Sequence, residues 1–204
     1  MQTKPVNKSG EMKELRNRAE SFAALSCEPG STLVWGEGAL DAKIAFVGEA
    51  PGDYETRLGR PFVGPAGQLF NRELERAGID RAEVWISNVV KCRPITISPS
   101  GRAVNRAPTR NEVAGWLPYL LEELKIIGPH IIVCLGAIAA MALISRDFAI
   151  TKQRGQWFDG PLGAKIMATF HPSYILRVTA ADGEEQQEAF RTDLAEVKKL
   201  SAVS

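Results

Sequence analysis

Three cysteines and two histidines are all that a 204-residue chain offers for soft-metal or disulfide chemistry. Cys27, Cys92 and Cys134 are widely spaced and odd in number. They make no disulfide framework; Cys27 and Cys92 are expected to be ordinary thiols and the protein to be cytoplasmic. No apolar run reaches the roughly 20 residues that span a bilayer. The opening MQTKPVNKSGEMKELRNRAE is too charged to hold a secretory core, so no membrane partner is expected. Charge of one sign is also scarce: 25 Lys and Arg face 24 Asp and Glu, a net +1. That excludes a broad basic field, and an anionic partner must be met by a local patch. Repeats and low-complexity tracts are absent. What remains, 45% hydrophobic and 24% charged, is the composition of a globular protein able to bury a substantial core. We expect one domain over residues 1–204, monomeric, with loose ends at 1–10 and 202–204.

Apolar periodicity organises the chain. Met12, Leu15, Ala19 and Phe22 fall at helical spacing, which predicts a helix over 11–25. KIAFVG (43–48), EVWISNVVK (83–91), HIIVCLG (130–136) and KIMATF (165–170) read as buried strands. Helices are predicted over 68–78, over 109–127 with a kink at Pro118, over the alanine-rich AIAAMALIS, and over 184–201. The Gly/Pro-rich EAPGDYETRLGRPFVGPAG reads as irregular, CRPITISPSGRAVNRAP (92–108) as a long loop, and ITKQRGQWFDGPLGAK as hairpin-like. Strands alternating with helices imply an α/β fold: a three-layer αβα sandwich around a central four-stranded parallel sheet.

In such sheets ligands sit at the carboxyl ends of the strands. That rule gathers the loop after Gly48, the residues around Asn88, and HPSYILR after Phe170. Glu49, Asp53, Phe62, Asn88 and His171 come together there. An aromatic face and a side-chain amide can recognise a planar heterocycle, the ring by stacking and the amide by donating and accepting at once. A histidine can stabilise negative charge on a leaving oxygen, and a carboxylate can orient water. This set suits cleavage of the bond between a sugar and a base.

VGEAPGDYETRLGRPFVGPAG, SNVVKCRP…NRAPT and TFHPSYILR, in that order, resemble the motifs of the uracil-DNA glycosylase superfamily, nearest its bacterial and archaeal family 4 branch, over residues 33–178. The resemblance implies a DNA repair enzyme that flips uracil, or another deaminated or damaged base, out of DNA and hydrolyses its N-glycosidic bond. It also assigns roles. GEAPGD, with Glu49, Ala50, Gly52 and Asp53, would contact the base and position water. Ala50 stands where the best-known members carry aspartate. Phe62 would stack on uracil, Asn88 would read its Watson–Crick edge, and Glu55 would block thymine's methyl. His171 would stabilise the departing anion at O2. Ser173 would touch a phosphate, Ile175 and Leu176 would wedge into the duplex, and Arg177 would hold the backbone. Wedge, phosphate contact and leaving-group stabiliser would share one loop because the base must leave the stack before it is cut.

Two departures accompany the resemblance. Family 4 holds an iron–sulfur cluster through four cysteines, and four thiolates are the usual requirement. Cys92 matches one and Cys27 another, but Cys27 has no close partner, Trp116 stands at the fourth position, and Cys134 lies inside a strand. No cluster and no metal site are expected. The segment 95–104 is also longer than the family's RPPGNRTP. A uracil-crosslinking branch ends such a loop in a reactive histidine; Asn105 stands at that position here, which argues against covalent capture. Arg93, Arg102, Arg106 and Arg110 are spaced to meet phosphates, Arg106 foremost.

Plainer readings stand beside these. His171 could be a strand-end cap, Phe62 core, Asn88 a loop-capping amide, and Glu49 or Asp53 a loop hydrogen-bonder; neither acid outranks the other. The four arginines could be a solvated loop, and His130 caps the third strand. A uracil-DNA sensor with little turnover is an alternative to the enzyme. A nucleotide-phosphate site in the Gly/Pro loop is a third reading, weakened by the lack of G-x-G-x-x-G and Walker patterns.

Overall fold

Along the central strands, successive side chains enter opposite cores. Ile44 and Phe46 of β2 (Ile44–Gly48), with Ile131, Val133 and Leu135 of β6 (Ile131–Leu135), face one apolar cluster; Ala45, Val47, Ile132 and Cys134 face the other. A strand covered on both faces has no polar side to show, which is why these runs are continuously apolar. The computed structural model describes residues 7–178 and 180–202, without the side chains of 180–183. Of the ends expected to be loose, 1–10 and 202–204, residues 1–6 and 203–204 lie outside the described residues.

Chain order places α1 (Lys8–Ser26), β1 (Glu37–Gly38), β2, α2 (Asp53–Leu58), α3 (Pro65–Arg76), β3 (Trp85–Asn88), β4 (Ile95–Ile97), β5 (Ala103–Asn105), α4 (Arg110–Ile127), β6, α5 (Ala137–Leu143), α6 (Ile150–Gln153), β7 (Phe158–Asp159), β8 (Lys165–Thr169), α7 (Pro172–Arg177) and α8 (Ala180–Ser201). The sheet order is β1-β3-β2-β6-β8-β7. β3, β2, β6 and β8 are parallel, and the two-residue edges β1 and β7 run antiparallel. The expected sandwich is therefore present with six strands rather than four, the outer pair being too short to carry a sequence period. α1, α4 and α5 cover one face through Leu15, Trp116, Leu120 and Ala140; α3 and α8 cover the other through Phe70, Leu74, Phe190 and Leu194.

Several boundaries differ from expectation. α1 starts at Lys8, inside the segment expected to be loose, because Asn7 caps it by accepting from the Gly10 N–H. The Gly/Pro-rich stretch contains α2, capped at its C-terminus by Gly59 in the left-handed conformation, φ 67°. Residues 92–108 are not a plain loop, since β4 and β5 form an antiparallel hairpin. α4 runs continuously across Pro118, opened by a capping box between Thr109 and Glu112. β3 ends at Asn88 instead of reaching Lys91: the N–H groups of Val89 and Val90 turn to the carbonyls of Gly48 and Glu49.

Candidate active site

Because the four long strands are parallel, their carboxyl ends meet at one edge, and a cleft of about 830 Å³ opens there. Its walls include Glu49, Ala50, Gly52 and Asp53 after β2, Phe62 before α3, Asn88 at the end of β3, and His171 after β8. Glu55, Asn105, Arg106, Ser173, Leu176 and Arg177 also line it. Ile175 is missing from the wall, as are Arg93, Arg102 and Arg110 among the arginines singled out from sequence.

Gly48 is the hinge of this arrangement. A Cβ at Gly48 would lie 2.4 Å from Asn88 Oδ1 and 2.6 Å from Phe62 Cζ. The amide and the ring therefore occupy the space that any side chain there would need. Asn88 is 2% exposed, and its amide makes no hydrogen bond among the described residues. The amide opens on the cleft, where a ligand can supply the partners it lacks.

Phe62 is buried and holds φ 53°, in the left-handed region that a bulky residue rarely adopts. Its neighbours hold it there. The Glu55 carboxylate accepts from the Val63 and Gly64 N–H groups at 3.0 and 2.8 Å and from Gly52 N–H at 3.2 Å. Arg81 donates to the Pro61 carbonyl at 2.9 Å. Glu55, expected to screen out a methyl group, is thus a strut: both its oxygens are committed to backbone amides. Sequence gives no signal for this because the bonds span eight and nine residues. Phe62 packs on Phe70 at 5.3 Å between centroids and on His171 at 5.7 Å.

His171 caps α7, its Nδ1 accepting the Ser173 N–H at 3.1 Å. An accepting Nδ1 leaves the proton of the neutral ring on Nε2. Burial, with the nearby Arg177 charge adding to it, pushes the imidazole pKa down to about 4. At neutral pH the ring is a neutral donor through Nε2. Gly136, at φ 96°, lets β8's end close over β6: a Cβ there would sit 3.0 Å from His171 Cβ.

The two acids separate clearly. Asp53 opens α2 at the rim, ion-paired to Arg93 at 2.7 Å and to Arg57 at 2.9 Å. The Glu49 carboxylate makes no hydrogen bond or ion pair among the described residues, and burial raises its pKa against the opposing charge of Arg177.

Two expectations about the rim need correction. Ile175 is 5% exposed and belongs to the apolar cluster with Phe62, Leu69 and Phe70, because one helical turn after His171 carries it inward. Leu176, 49% exposed, is the member of the pair that points out. Arg106 forms a double hydrogen bond with Glu112, at 2.7 Å for each contact, and holds its carboxyl down to about 2; it also donates to the Ile95 carbonyl. Arg93 bridges Asp53 and Asn105. These two arginines fasten the hairpin and are not free for phosphates, whereas Arg102 and Arg110 have no side-chain partner among the described residues. Asn105 is exposed and held by Arg93 at 2.6 Å.

The family model described as the uracil DNA glycosylase superfamily matches residues 35–195, which include every cleft residue named above. The chain belongs to that superfamily. Among glycosylase relatives, the Type-4 uracil-DNA glycosylase of Thermotoga maritima is 47% identical over 148 residues, 72% of this chain and 73% of that protein. The Type-4 enzyme of Pyrobaculum aerophilum is 41% identical over 160 residues, covering 75% and 78%. A Type-5 uracil-DNA glycosylase from the same organism is more distant, at 31% over 156 residues, covering 68% and 64%. The crystal structure of SMUG2 from Pedobacter heparinus shares the fold, with TM-score 0.55 at 13% identity over 95% of this chain and 88% of that one.

The cluster implied by the glycosylase resemblance does not fit these residues. Cys27 and Cys92, expected to be free thiols, are joined as a disulfide because α1 ends beside the turn that follows β3. Trp116, expected at the position of the fourth ligand, is fully buried and packed against Phe22 at 5.0 Å, Tyr119 at 5.6 Å and Trp35 at 6.3 Å. Cys134 is sealed in β6, where burial raises its pKa far above that of an ordinary thiol. Among the described residues no group of three or more His, Cys, Asp or Glu could hold a metal ion, and no helix is long and apolar enough to cross a membrane.

Proposed function

We propose that this protein removes uracil from DNA by hydrolysing its N-glycosidic bond and leaves an abasic site. The observation that carries the reading is the buried Asn88 amide, unpartnered and opening into the same cleft as the Nε2–H of a neutral His171. An amide presents one donor and one acceptor, which is what the N3–H and O4 edge of uracil requires. The flipped base lies against Phe62 with its edge on Asn88. Water held by Glu49 attacks C1′ and the C1′–N1 bond breaks. The bonding electron pair leaves with the base, whose O2 takes the His171 hydrogen bond. The water's proton passes to the Glu49 carboxylate and then to solvent.

The uncommitted, half-buried carboxylate of Glu49 favours it over Asp53 as the water-positioning acid, since Asp53 already serves two arginines. Ser173, Leu176 and Arg177 meet the strand around the flipped nucleotide. Ala50, small where other members carry aspartate, leaves room for other deaminated bases. The reaction needs no iron–sulfur cluster, and the protein acts as a monomeric single domain on cytoplasmic DNA.

The test is an oligonucleotide with one labelled uracil, incubated with protein and then treated with alkali. Cleavage at the uracil position reports an abasic site. Binding without cleavage would instead identify a uracil-DNA sensor. The same assay on oligonucleotides carrying other deaminated and damaged bases measures substrate breadth. Iron analysis of the purified protein is expected to find none; stoichiometric iron with visible absorbance would contradict the cluster-free reading.

A further inference from the structure

The hairpin of β4 and β5 stands at the mouth of the cleft and takes no part in the chemistry just described. It is nevertheless firmly built. Arg106 ties its first strand to α4 through the Ile95 carbonyl and Glu112, and Arg93 ties its second strand to α2 through Asn105 and Asp53. Its turn closes with Ser98 N–H on the Arg102 carbonyl at 2.9 Å and Gly101 at φ 78°. Such anchoring is unneeded for a loop that only connects β3 to α4.

Cross-strand partners share a face of a hairpin. Ile95 pairs with Asn105 and Ile97 with Ala103, so these four residues form one face. Asn105 lines the cleft, and the face therefore continues the cleft wall outward to Ile97, which is 63% exposed. Arg102 follows at the turn, across from Ser98, with no side-chain partner among the described residues. An exposed branched aliphatic and an uncommitted guanidinium on one fixed arm beside a base pocket match the chemistry of a duplex groove: apolar sugar and base edges bordered by phosphates.

We propose that this hairpin is a duplex-reading arm, with Ile97 pressed against the groove beside the extruded nucleotide and Arg102 on a flanking phosphate. The inference rests on the uracil reading and deepens it, by making excision favour paired over single-stranded DNA. Leu176 lines the same cleft from α7, so the two exposed aliphatics bracket the extrusion point.

The test is single-turnover excision by wild type and the double variant Ile97→Ala/Arg102→Ala, on uracil in a duplex and in a single strand of the same sequence. The duplex-to-single-strand rate ratio is expected to fall by about tenfold, with an unchanged Tm because both side chains are exposed. The salt dependence of duplex binding should weaken by about one charge. Ile97→Leu, which keeps the apolar contact, is expected to retain the wild-type ratio. An unchanged ratio in the double variant, or an equal loss on both substrates, would overturn the arm while leaving uracil excision intact. No excision by wild type from either substrate would instead overturn the uracil reading, and this inference with it.

Discussion

The rings of Phe62 and His171 lie 5.7 Å apart with 31° between their planes. The ring that would hold the base and the imidazole that would donate to it are thus packed on one another. Gly48 and Gly67 beside Phe62, and Gly136 beside His171, are places where a missing Cβ permits this packing.

Phe62→Leu keeps an apolar plug but removes the flat face. Base–aromatic stacking is worth about 1–3 kcal/mol, so single-turnover excision should slow by roughly tenfold to a hundredfold. Gly48→Ala should do worse, since its methyl would displace both Phe62 and Asn88. Kinetics on one uracil oligonucleotide check both; a Phe62→Leu variant with wild-type rate would remove stacking from the account.

The pH profile separates His171 from Glu49. His171 protonates only near pH 4, so the ring stays neutral and produces no limb between pH 8 and 5. Glu49 must be ionised to hold water, and its pKa is raised above the ordinary 4.5. The rate should therefore fall as pH drops through that raised value. Glu49→Gln should be slow and lack this limb, while Asp53→Asn should keep it. A limb that survives in Glu49→Gln would assign it to another group.

Behind the site, Lys91 is fully buried, donating to Ser87 Oγ at 2.7 Å and the Asn88 carbonyl at 2.8 Å and ion-pairing with buried Glu123. Glu123 also takes the Gly36 N–H at 3.0 Å. Stripping one partner from such a pair costs about 3–5 kcal/mol, so Lys91→Met should show that loss in denaturant unfolding. Lys91→Met/Glu123→Leu should recover much of it, because no buried charge is left alone. A single variant as stable as wild type would mean the pair is already uncoupled.

Reading the sequence located what depends on local pattern. The central strands are visible as apolar runs, His171 as a rare residue at a strand end, and Asn88 and Phe62 by their place at a strand end and in a Gly/Pro loop. Residues whose roles depend on distant partners were not visible. Cys27 and Cys92 are 65 positions apart, and they meet because the fold sets the end of α1 beside the turn that follows β3. Glu55 acts on amides beyond the next turn, and Arg106 finds its carboxylate across the start of α4. Ile175 and Leu176 are adjacent and equally apolar; which one faces out is set by how α7 rests on α3. The order of Glu49 and Asp53 likewise followed from partners, since Arg57 and Arg93 both claim Asp53.

The central claim is that His171 donates to the leaving base. Single-turnover excision and equilibrium binding, measured for wild type and His171→Ala on the same uracil oligonucleotide, test it most directly. Loss of one preorganised donor costs about 10²–10³ in rate. We expect a fall of that order with affinity nearly unchanged, because the rim contacts do not involve the imidazole. Excision by His171→Ala near the wild-type rate, or a loss explained wholly by weaker binding, would contradict the account.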